Sequence, residues 1–311
     1  MKKTIVVTGA CGLIGSHLVD SILTNSDYRI VAIDDLSTGK RDHLRIDKRI
    51  DFFKVDISNF ETINRIFEKF NPKIVVHSAA SYDDPDNWIR DCLVNSSASI
   101  NLIKISEKIK VDRFIYLQTG LCYGNSKVPV KVGSPLNPGN SSYSISKTVA
   151  EYYLNISRLN FVSFRLSNII GPRNLSGPLP IFYKRLKNDD ECVIVDSRRD
   201  FVHIKDLIDV LIKAVCLGLG EGIYNFSSGK TTTVLELYNC LVKHMKIKNI
   251  KTPKLIKLEN NHIHSILLDS EKTKKDFNHF NFKNLDEIVI DSLDYYEKYS
   301  VNNELTHLKF N

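Results

Sequence analysis

The sequence has no apolar run long enough to cross a bilayer, although 42% of its 311 residues are hydrophobic. It also has no closely spaced cysteines, because the six cysteines are scattered and none belongs to a C-x-x-C motif. The first residues, Met1-Lys2-Lys3-Thr4, lead directly into an apolar segment, so we expect no signal peptide. These absences favour a cytoplasmic protein without membrane contact, whose thiols are reduced and mostly buried.

Basic residues exceed acidic residues, at 43 against 36, and the formal net charge is +7. The basic residues are spread along the chain and form no basic arm, so we predict no nucleic-acid partner. A mild positive field would instead favour a small anionic substrate.

A glycine-rich segment near the amino terminus carries the clearest functional signal. Residues 4–7 predict a strand, residues 13–23 repeat apolar side chains with helical spacing, and glycines with G-x-x-G-x-x-G spacing lie between them. Gly9 can form the tight turn, Gly12 lets the backbone approach a pyrophosphate, and Gly15 lets the helix pack on the strand. The N–H groups at the start of that helix would face the phosphates. The alternative is an ordinary glycine-rich turn.

An acidic residue, Asp34, follows the second apolar strand at residues 29–33. A carboxylate at this position accepts hydrogen bonds from the adenosine ribose and repels a 2′-phosphate. We therefore predict NAD rather than NADP as the cofactor. Lys40 and Arg41 follow closely and would weaken this choice, but we interpret them as solvated charges.

Strand and helix patterns alternate through the first half of the chain, which predicts an α/β fold with a Rossmann-like, doubly wound parallel sheet. The less regular second half predicts a smaller C-terminal α/β substrate domain. We assign residues 1–166 to the NAD-binding domain and 167–311 mainly to the substrate domain, with segments near 198–228 returning to the first. The expected strands are 4–7, 29–33, 51–55, 73–77, 114–117, 161–165, 192–195, 201–203 and 222–226, and the expected helices are 13–23, 63–70, 86–109, 142–157, 181–187, 205–217, 233–245 and 285–299.

Ligands bind at the carboxyl ends of the strands in such a sheet. This rule predicts a single crevice, lined by Gly9–Gly15, Asp34, Asp56, Ala79–Ser81 and Gln118–Tyr123.

The candidate catalytic pair is Tyr143 and Lys147, which lie four residues apart and so share one face of the predicted helix. A nearby ammonium favours the phenolate, so we expect Tyr143 to exchange a proton near neutral pH. Thr119, at the end of the fifth strand, could hydrogen-bond the same substrate oxygen; alternatively, it is a turn or cap residue. The Tyr/Lys spacing recurs twice, and we interpret those pairs as a loop pair and a surface pair: Tyr123/Lys127 and Tyr183/Lys187.

Together these motifs resemble the extended short-chain dehydrogenase/reductases, and among them the NAD-dependent nucleotide-sugar epimerase/dehydratase family. The resemblance covers nearly the whole chain, and the Gln118–Tyr123 segment is similar to epimerase-like enzymes of bacterial O-antigen and polysaccharide loci. It rests on the motifs G-x-x-G-x-x-G at 9–15, Asp34, Asp56, H-S-A-A at 77–80, Thr119, Tyr143-x-x-x-Lys147 and R-D-F-V-H at 199–203.

The resemblance implies specific roles, with Thr119, Tyr143 and Lys147 as the catalytic residues. It also implies a homodimer formed through the helices at 86–109 and 143–157. The residues that would contact NAD are Gly9, Gly12, Leu13, Ile14, Gly15, Asp34, Asp56, Ile57, Ala79, Ala80, Asn95, Tyr143 and Lys147. The resemblance implies a UDP-linked nucleotide sugar as the substrate. The residues that would contact it are Ser81, Thr119, Asn168, Arg173, Leu179, Arg185 and Arg199.

The residues after Thr119 separate the branches of this family. The 4,6-dehydratases have Asp-Glu there, as acid and base for the elimination of water, whereas this chain has Gly120 and Leu121. The chain therefore resembles a C4 epimerase of a UDP-hexose, UDP-N-acetylhexosamine or UDP-uronate, acting through a transient 4-keto sugar. The alternatives are a reductase, dehydrogenase or dehydratase-like enzyme and, as the least favoured, a non-catalytic NAD-binding protein.

Several positions allow two interpretations. Arg173 or Arg185 could grip a sugar carboxylate, although Arg185 could equally belong to a solvated face. Cys122 could be a second acid or base, but we favour a small buried residue. The family often has a phosphate-binding arginine where this chain has Asn261-His262-Ile263-His264. We interpret His262 and His264 as surface residues and predict no metal, because no third ligand is near them in sequence.

Overall fold

A computed structural model describes residues 3–139, 141–247, 250–257 and 265–299, and its centre is a seven-stranded parallel sheet. The strands in chain order are β1 (Thr4–Thr8), β2 (Arg29–Asp34), β3 (Ile50–Lys54), β4 (Ile74–His77), β5 (Arg113–Thr119), β6 (Phe161–Leu166), β7 (Asn168–Ile170), β8 (Val193–Asp196), β9 (Arg198–Arg199), β10 (Phe201–His203), β11 (Gly222–Phe226), β12 (Thr232–Thr233) and β13 (Lys254–Lys257). The α-helices are α1 (Leu13–Asn25), α2 (Phe60–Phe70), α3 (Trp88–Asp91), α4 (Ser99–Ile109), α5 (Ser142–Asn155), α6 (Pro178–Lys187), α7 (Ile204–Cys216), α8 (Val234–Met245), α9 (Glu271–Asp276) and α10 (Leu285–Tyr299).

The strand order in the main sheet is β11-β6-β5-β4-β1-β2-β3. The chain builds outward from β1 to β3, then crosses back to β4 and builds the other half. The reversal lies between β1 and β4, and such a switch point opens a crevice at the carboxyl ends of the strands. The doubly wound parallel sheet predicted from the sequence is confirmed.

The two faces of the sheet carry different hydrophobic cores. Side chains alternate along each strand, so Val7 joins the core with α1 and α7, whereas Val6 joins the core with α2, α4 and α5. A third core lies outside the sheet and joins α6, α8 and α10 through Leu179, Leu237 and Ile288. From this region, β10 and α7 lead back to β11 in the main sheet.

The expected elements are confirmed to within a few residues at their ends. The helix predicted at 86–109 is a continuous helical run over 88–109, in which a π-helical segment at Cys92–Ala98 lies between α3 and α4. The wide turn holds Asn95 inward, where its Oδ1 accepts a hydrogen bond from the Ser81 N–H at 2.8 Å. The short strands β7, β9, β12 and β13 and the helix α9 are not predicted from the sequence. Among the helices described, none combines the length and apolar character needed to cross a membrane.

The first turn of α1 packs so closely against the end of β1 that two positions have no space for a side chain. Gly9 has a φ of +65°, and a Cβ atom on it would lie 2.7 Å from the Ala79 backbone nitrogen. A Cβ atom on Gly15 would lie only 2.1 Å from the carbonyl oxygen of Gly9. Contacts this short with backbone atoms require the backbone to move, so both positions demand glycine.

A buried ion pair joins α5 to β6. The Arg165 Nη2 and Glu151 Oε2 atoms are 2.6 Å apart, and the two side chains are 5% and 3% exposed. Ser163 donates a second hydrogen bond to Glu151, and Arg165 Nη1 donates to the Tyr123 hydroxyl oxygen at 2.7 Å. The pair is therefore almost fully hydrogen-bonded, which is the condition under which buried charges are tolerated.

We expect Gly15→Ala to lower the free energy of unfolding by about 1–3 kcal/mol, because its methyl group would overlap the Gly9 carbonyl. Urea unfolding followed by circular dichroism measures this change. Gly133→Ala is the matched control, since a Cβ atom there would have no neighbour within 4 Å. Equal stability of the two variants would contradict the packing described for the turn.

Arg165→Met should lower the free energy of unfolding by about 3–5 kcal/mol, because it leaves the Glu151 carboxylate buried without its partner. The double variant Arg165→Met/Glu151→Leu should recover much of the loss, since the uncompensated charge is then removed as well. The measurement is a double-mutant cycle by urea unfolding. Simple additivity of the two substitutions would show that the charges are not coupled.

Candidate active site

A cleft of about 1330 Å³ lies at the carboxyl ends of the strands. It runs from the start of α1 and the ends of β2 and β3, past β5 and α5, to the segment that carries β7 and α6. Most predicted site residues line it: Gly9, Gly12, Leu13, Ile14, Gly15, Asp34, Asp56, Ile57, Ala79, Ala80, Ser81, Thr119, Tyr143, Lys147, Asn168, Arg173 and Arg199.

The end of the cleft near α1 has the features that a dinucleotide requires. Gly12 is the N-cap of α1 and has no side chain to cap the helix, so backbone N–H groups face the cleft. The nearest atom to a Cβ on Gly12 would be the Gly9 oxygen, at 3.4 Å, which leaves the cleft side open for a pyrophosphate. The residues present therefore fit the phosphates of NAD.

The Asp34 carboxylate is held in place by the backbone. Its Oδ2 accepts a hydrogen bond from the Cys11 N–H and its Oδ1 from the Leu36 N–H, both at 2.8 Å. Burial raises the pKa of this carboxyl, while the two backbone donors oppose the rise. A fixed carboxylate at the end of β2 can accept hydrogen bonds from ribose hydroxyls and leaves no favourable place for a 2′-phosphate.

The catalytic candidates on α5 lie on one side of the cleft. Lys147 is 1% exposed, and its Nζ lies 4.1 Å from the centre of the Tyr116 ring. Burial lowers the pKa of Lys147 to about 7, although Glu151 raises it. The Tyr143 ring meets the Tyr82 ring edge-on, with centroids 6.4 Å apart.

In the protein alone, burial dominates the pKa of Tyr143, and the effect of Lys147 on Tyr143 beside bound cofactor and substrate stays a prediction. Burial raises the pKa of Tyr143 above its usual value, and the neighbouring Tyr82 and Asp91 raise it further. Desolvation disfavours charge on both members of the pair, so it opposes the phenolate and the ammonium together. In this state Tyr143 holds its proton.

Thr119 is a cap residue, as one of its two interpretations predicts, and its contact with a substrate stays a prediction. Its Oγ1 accepts a hydrogen bond from the Leu121 N–H at 3.2 Å, so it caps the 3₁₀ turn at Gly120–Tyr123. The same hydroxyl lines the cleft and retains its own proton as a donor. A cap role and a ligand-binding role are therefore compatible.

Three predicted contact residues do not line the cleft. Asn95 lies behind it, because its amide bonds Ser81 on both sides and also donates to Ser146 Oγ at 3.1 Å. Leu179 is 0% exposed within the core of α6, α8 and α10, while the helical neighbours Pro178 and Phe182 reach the cleft. Arg185 lies beyond Phe182 along α6 and donates to the Glu191 carbonyl oxygen at 3.1 Å.

The remaining arginines of the predicted substrate site differ in their partners. Arg173 lines the cleft, but its Nη2 lies 2.7 Å from Asp20 Oδ2 on α1. Arg199 also lines the cleft, its Nη1 donates to the Arg198 carbonyl oxygen at 2.8 Å, and burial lowers its pKa to about 10. Both arginines therefore lie on the cleft as predicted, and Arg173 is paired with the Asp20 carboxylate.

The segment at 82–90 also lines the cleft and was not predicted to do so. It includes Arg90 on α3, whose guanidinium contacts Asp56 and Asp35 at the ends of β3 and β2. Its sequence signal is weak: Asn87 precedes the helix as an N-cap, but nothing local indicates the partners of Arg90.

The cysteines behave as predicted, since all six are free thiols and four of them are buried. Cys122 is 0% exposed, burial raises its pKa to about 12, and it does not line the cleft. The interpretation of Cys122 as a small buried residue is confirmed. The sequence positions 261–264, with His262 and His264, lie outside the described residues.

One group of metal-ligand type occurs among the described residues, away from the cleft. Single ligand atoms of Cys240, His244 and Asp286 lie within 4.8 Å of one another. However, Asp286 Oδ1 already contacts Lys243 Nζ at 2.7 Å and His244 Nε2 at 2.6 Å. The lysine ammonium occupies the place of a cation, so we assign no metal to this group.

Residues 5–226 match the model of the NAD dependent epimerase/dehydratase family. A putative UDP-glucose 4-epimerase of Methanocaldococcus jannaschii is 31% identical over 256 residues, covering 77% of this chain and 81% of that protein. The crystal structure of the Bordetella bronchiseptica enzyme WbmH in complex with NAD+ has a TM-score of 0.92 and 42% identity, covering 97% of this chain and 100% of that chain. The WbmG structure from the same organism, in complex with NAD and UDP, has a TM-score of 0.90 and 33% identity, covering 100% of both chains. The chain therefore belongs to the NAD-dependent epimerase/dehydratase family and is an NAD-dependent enzyme of the extended short-chain dehydrogenase/reductase type.

Proposed function

We propose that this enzyme is a nucleotide-sugar C4 epimerase that oxidises and then reduces the same carbon through a transient 4-keto sugar. The observation that carries the proposal is the composition of the cleft beside Thr119. Thr119, Tyr143 and Lys147 line it together, so the groups for moving one proton are present. NAD, when bound, supplies the acceptor and donor of the hydride.

The positions after Thr119 argue against elimination of water. A Cβ atom on Gly120 would lie 2.9 Å from the Leu166 carbonyl oxygen, so an aspartate does not fit there without a backbone shift. Leu121 lines the cleft and offers neither an acid nor a base. Within the described residues, the acids on the cleft lining follow β2 and β3 or belong to the segment at 82–90. These features favour epimerisation over a 4,6-dehydratase reaction.

In the proposed reaction Tyr143 Oη takes the proton of the sugar 4-hydroxyl, and Thr119 Oγ1 hydrogen-bonds the same oxygen. Because Tyr143 alone holds its proton, a positive charge close to its hydroxyl is needed to favour the phenolate. Lys147, four residues along α5, is the side chain of this chain that can supply it. Tyr143 returns the proton when the 4-keto oxygen is reduced again.

We further propose a UDP-linked neutral hexose or N-acetylhexosamine as substrate. UDP is supported by the names of the M. jannaschii relative and of the WbmG complex. Asn168 and Arg199 lie on the cleft where a diphosphate would extend, beyond α5. The structure does not support a carboxylate clamp for a uronate, because Arg173 is paired with Asp20 and Arg185 lies outside the cleft. The resemblance to polysaccharide-locus enzymes supports a role in polysaccharide synthesis.

We also propose separate binding roles for the two parts of the chain. Residues 1–166 would hold NAD, and the segment after β6 would hold the nucleotide sugar, with α7 and β11 completing the main sheet.

A homodimer is supported by exposed apolar side chains around α3 and α5. Leu93 is 48% exposed, Ile145 is 45%, Tyr152 is 59% and Ile156 is 77%. Apolar surface of this kind, grouped on neighbouring helices, is typical of a protein–protein interface. We propose that two copies of the chain pair through this face.

Proton NMR of the purified protein with UDP-glucose, UDP-N-acetylglucosamine or UDP-glucuronate, without added cofactor, tests the reaction. We expect the C4 epimer to form with a neutral sugar and not with the uronate.

Tyr143→Phe should lower kcat at least about 100-fold, because it removes the proton-transfer group. Tyr183→Phe is the control, since Tyr183 has the same spacing to a lysine but belongs to another core. Conversion that requires added reduced cofactor would instead support the reductase alternative.

Size-exclusion chromatography with light scattering tests the dimer. The double variant Tyr152→Asp/Ile156→Asp should be a monomer, because it would bury charges in the proposed interface. Leu217→Asp is the control, since Leu217 is 68% exposed at the end of α7 on the opposite side of the sheet. A monomeric wild-type protein, or a dimer that survives the double substitution, would contradict the proposed interface.

A further inference from the structure

Arg90 connects three separate segments across one end of the cleft. Its Nη1 donates to Asp56 Oδ2 at 2.5 Å, and its Nη2 donates to Asp35 Oδ2 at 3.0 Å. Asp35 follows β2, Asp56 follows β3, and Arg90 lies on α3 after the loop at 82–87. One planar guanidinium thus spans two carboxylates that come from neighbouring strand ends, a geometry that lysine does not provide.

Each of the two carboxylates is also held by a hydrogen bond within its own turn. Asp56 Oδ1 accepts the Ser58 N–H at 2.8 Å, and Asp35 Oδ1 accepts the Ser37 N–H at 3.0 Å. Each carboxylate therefore uses one oxygen within its own turn and presents the other oxygen to Arg90. On the opposite side, the Asn87 side chain caps α3 by accepting the Arg90 N–H at 3.2 Å. The bridge consequently joins three locally ordered turns.

The position of the bridge relates it to the cofactor. Arg90, Asp35 and Asp56 all line the cleft, next to Asp34 and Ile57 at the ends of β2 and β3. In a sheet of this topology, that edge of the crevice faces the adenosine half of a dinucleotide, because the pyrophosphate lies at the start of α1.

We propose that the Asp35–Arg90–Asp56 bridge is a latch over the adenosine end of the cleft and that it slows the release of NAD. The proposal rests on the proposed function, which needs no cofactor exchange between turnovers. While the bridge is formed, the loop at 82–87 and α3 stay tied to the strand ends, and NAD leaves only after both hydrogen bonds break.

The latch makes a specific electrostatic prediction. The three side chains are about a third exposed, at 32% for Arg90 and 29% and 32% for Asp35 and Asp56. Ions in solution therefore screen the bridge, and the release of NAD from the wild-type protein should become faster as the salt concentration rises. Because NAD itself carries an anionic pyrophosphate, the part of this dependence that belongs to the latch is the part lost when Arg90 is replaced.

The test measures exchange of bound NAD for isotopically labelled NAD by mass spectrometry, with the full-length protein. Arg90→Gln should exchange about 10- to 100-fold faster than wild type, because two hydrogen bonds to charged groups are lost. Arg90→Lys should lie between them, since an ammonium can pair with one carboxylate at a time. The salt dependence should be weaker in Arg90→Gln than in the wild type, because the screening of the bridge no longer contributes. If Arg90→Gln does not fold, Arg90→Lys and Asp35→Asn carry the same test.

Arg29→Gln is the matched control. Arg29 also joins β2 to β3, through bonds of 2.6 Å and 2.9 Å to Asp51, but it lies at the amino end of β2, away from the cleft. This variant should exchange NAD at the wild-type rate. Asp35→Asn should speed exchange alone and add nothing in the Arg90→Gln background, because both substitutions open the same bridge. Equal exchange rates for Arg90→Gln and Arg29→Gln, or additive effects of Asp35→Asn, would overturn the latch.

Different measurements test the latch and the proposed reaction, so either one can be contradicted without the other. If no sugar epimerises, the proposed function fails, while dissociation of ADP-ribose, which retains the adenosine and the pyrophosphate but lacks the nicotinamide, still compares Arg90→Gln with Arg29→Gln. If a sugar epimerises and the Arg90 variants exchange NAD like the wild type, the proposed function stands and the latch is wrong.

Discussion

The structure depends on one close backbone approach, at the point where the two halves of the sheet separate. Gly9 follows β1 and leaves no room for a side chain against the backbone of Ala79, which follows β4. Gly15 packs on the Gly9 carbonyl, so the first turn of α1 is held at the same point. This contact therefore fixes the ends of β1 and β4 relative to the start of α1. Because these elements form the floor of the cleft, the contact would also position a bound dinucleotide.

Local sequence patterns predict those site residues whose positions depend only on neighbouring residues in the chain. The glycine spacing, Asp34 at its strand end and the Tyr/Lys pair of α5 each depend on a few consecutive residues, and all reach one cleft. Leu179 and Arg185 depend instead on where α6 begins and how it is rotated, and Asn95 depends on a π-turn. Arg90 has partners 34 and 55 residues away in the chain, so only the folded structure reveals them.

The Tyr143/Lys147 motif does not by itself determine the protonation states of its two side chains. The spacing predicts proximity, but the charge on each group depends on desolvation. Burial raises the pKa of Tyr143 and lowers that of Lys147 to about 7, so the protein alone disfavours both charged forms. The pair is therefore sensitive to any charge brought into the cleft, because a buried site responds strongly to an added charge. We therefore expect occupancy of the cleft, as well as the Tyr/Lys spacing, to determine when Tyr143 can accept a proton.

Two features at opposite ends of the cleft restrict the reaction in the same way. At the end beside Thr119, a side chain on Gly120 would meet the Leu166 carbonyl oxygen, which agrees with the proposed oxidation and reduction at one carbon rather than with elimination. An enzyme that performs both steps regenerates its cofactor and has no need to release it, whereas a reductase must exchange cofactor at every turnover. At the adenosine end, the Arg90 bridge would oppose release if it acts as the proposed latch. A latch of this kind would slow a reductase and leave an epimerase unaffected, so it agrees with the proposed redox-neutral reaction.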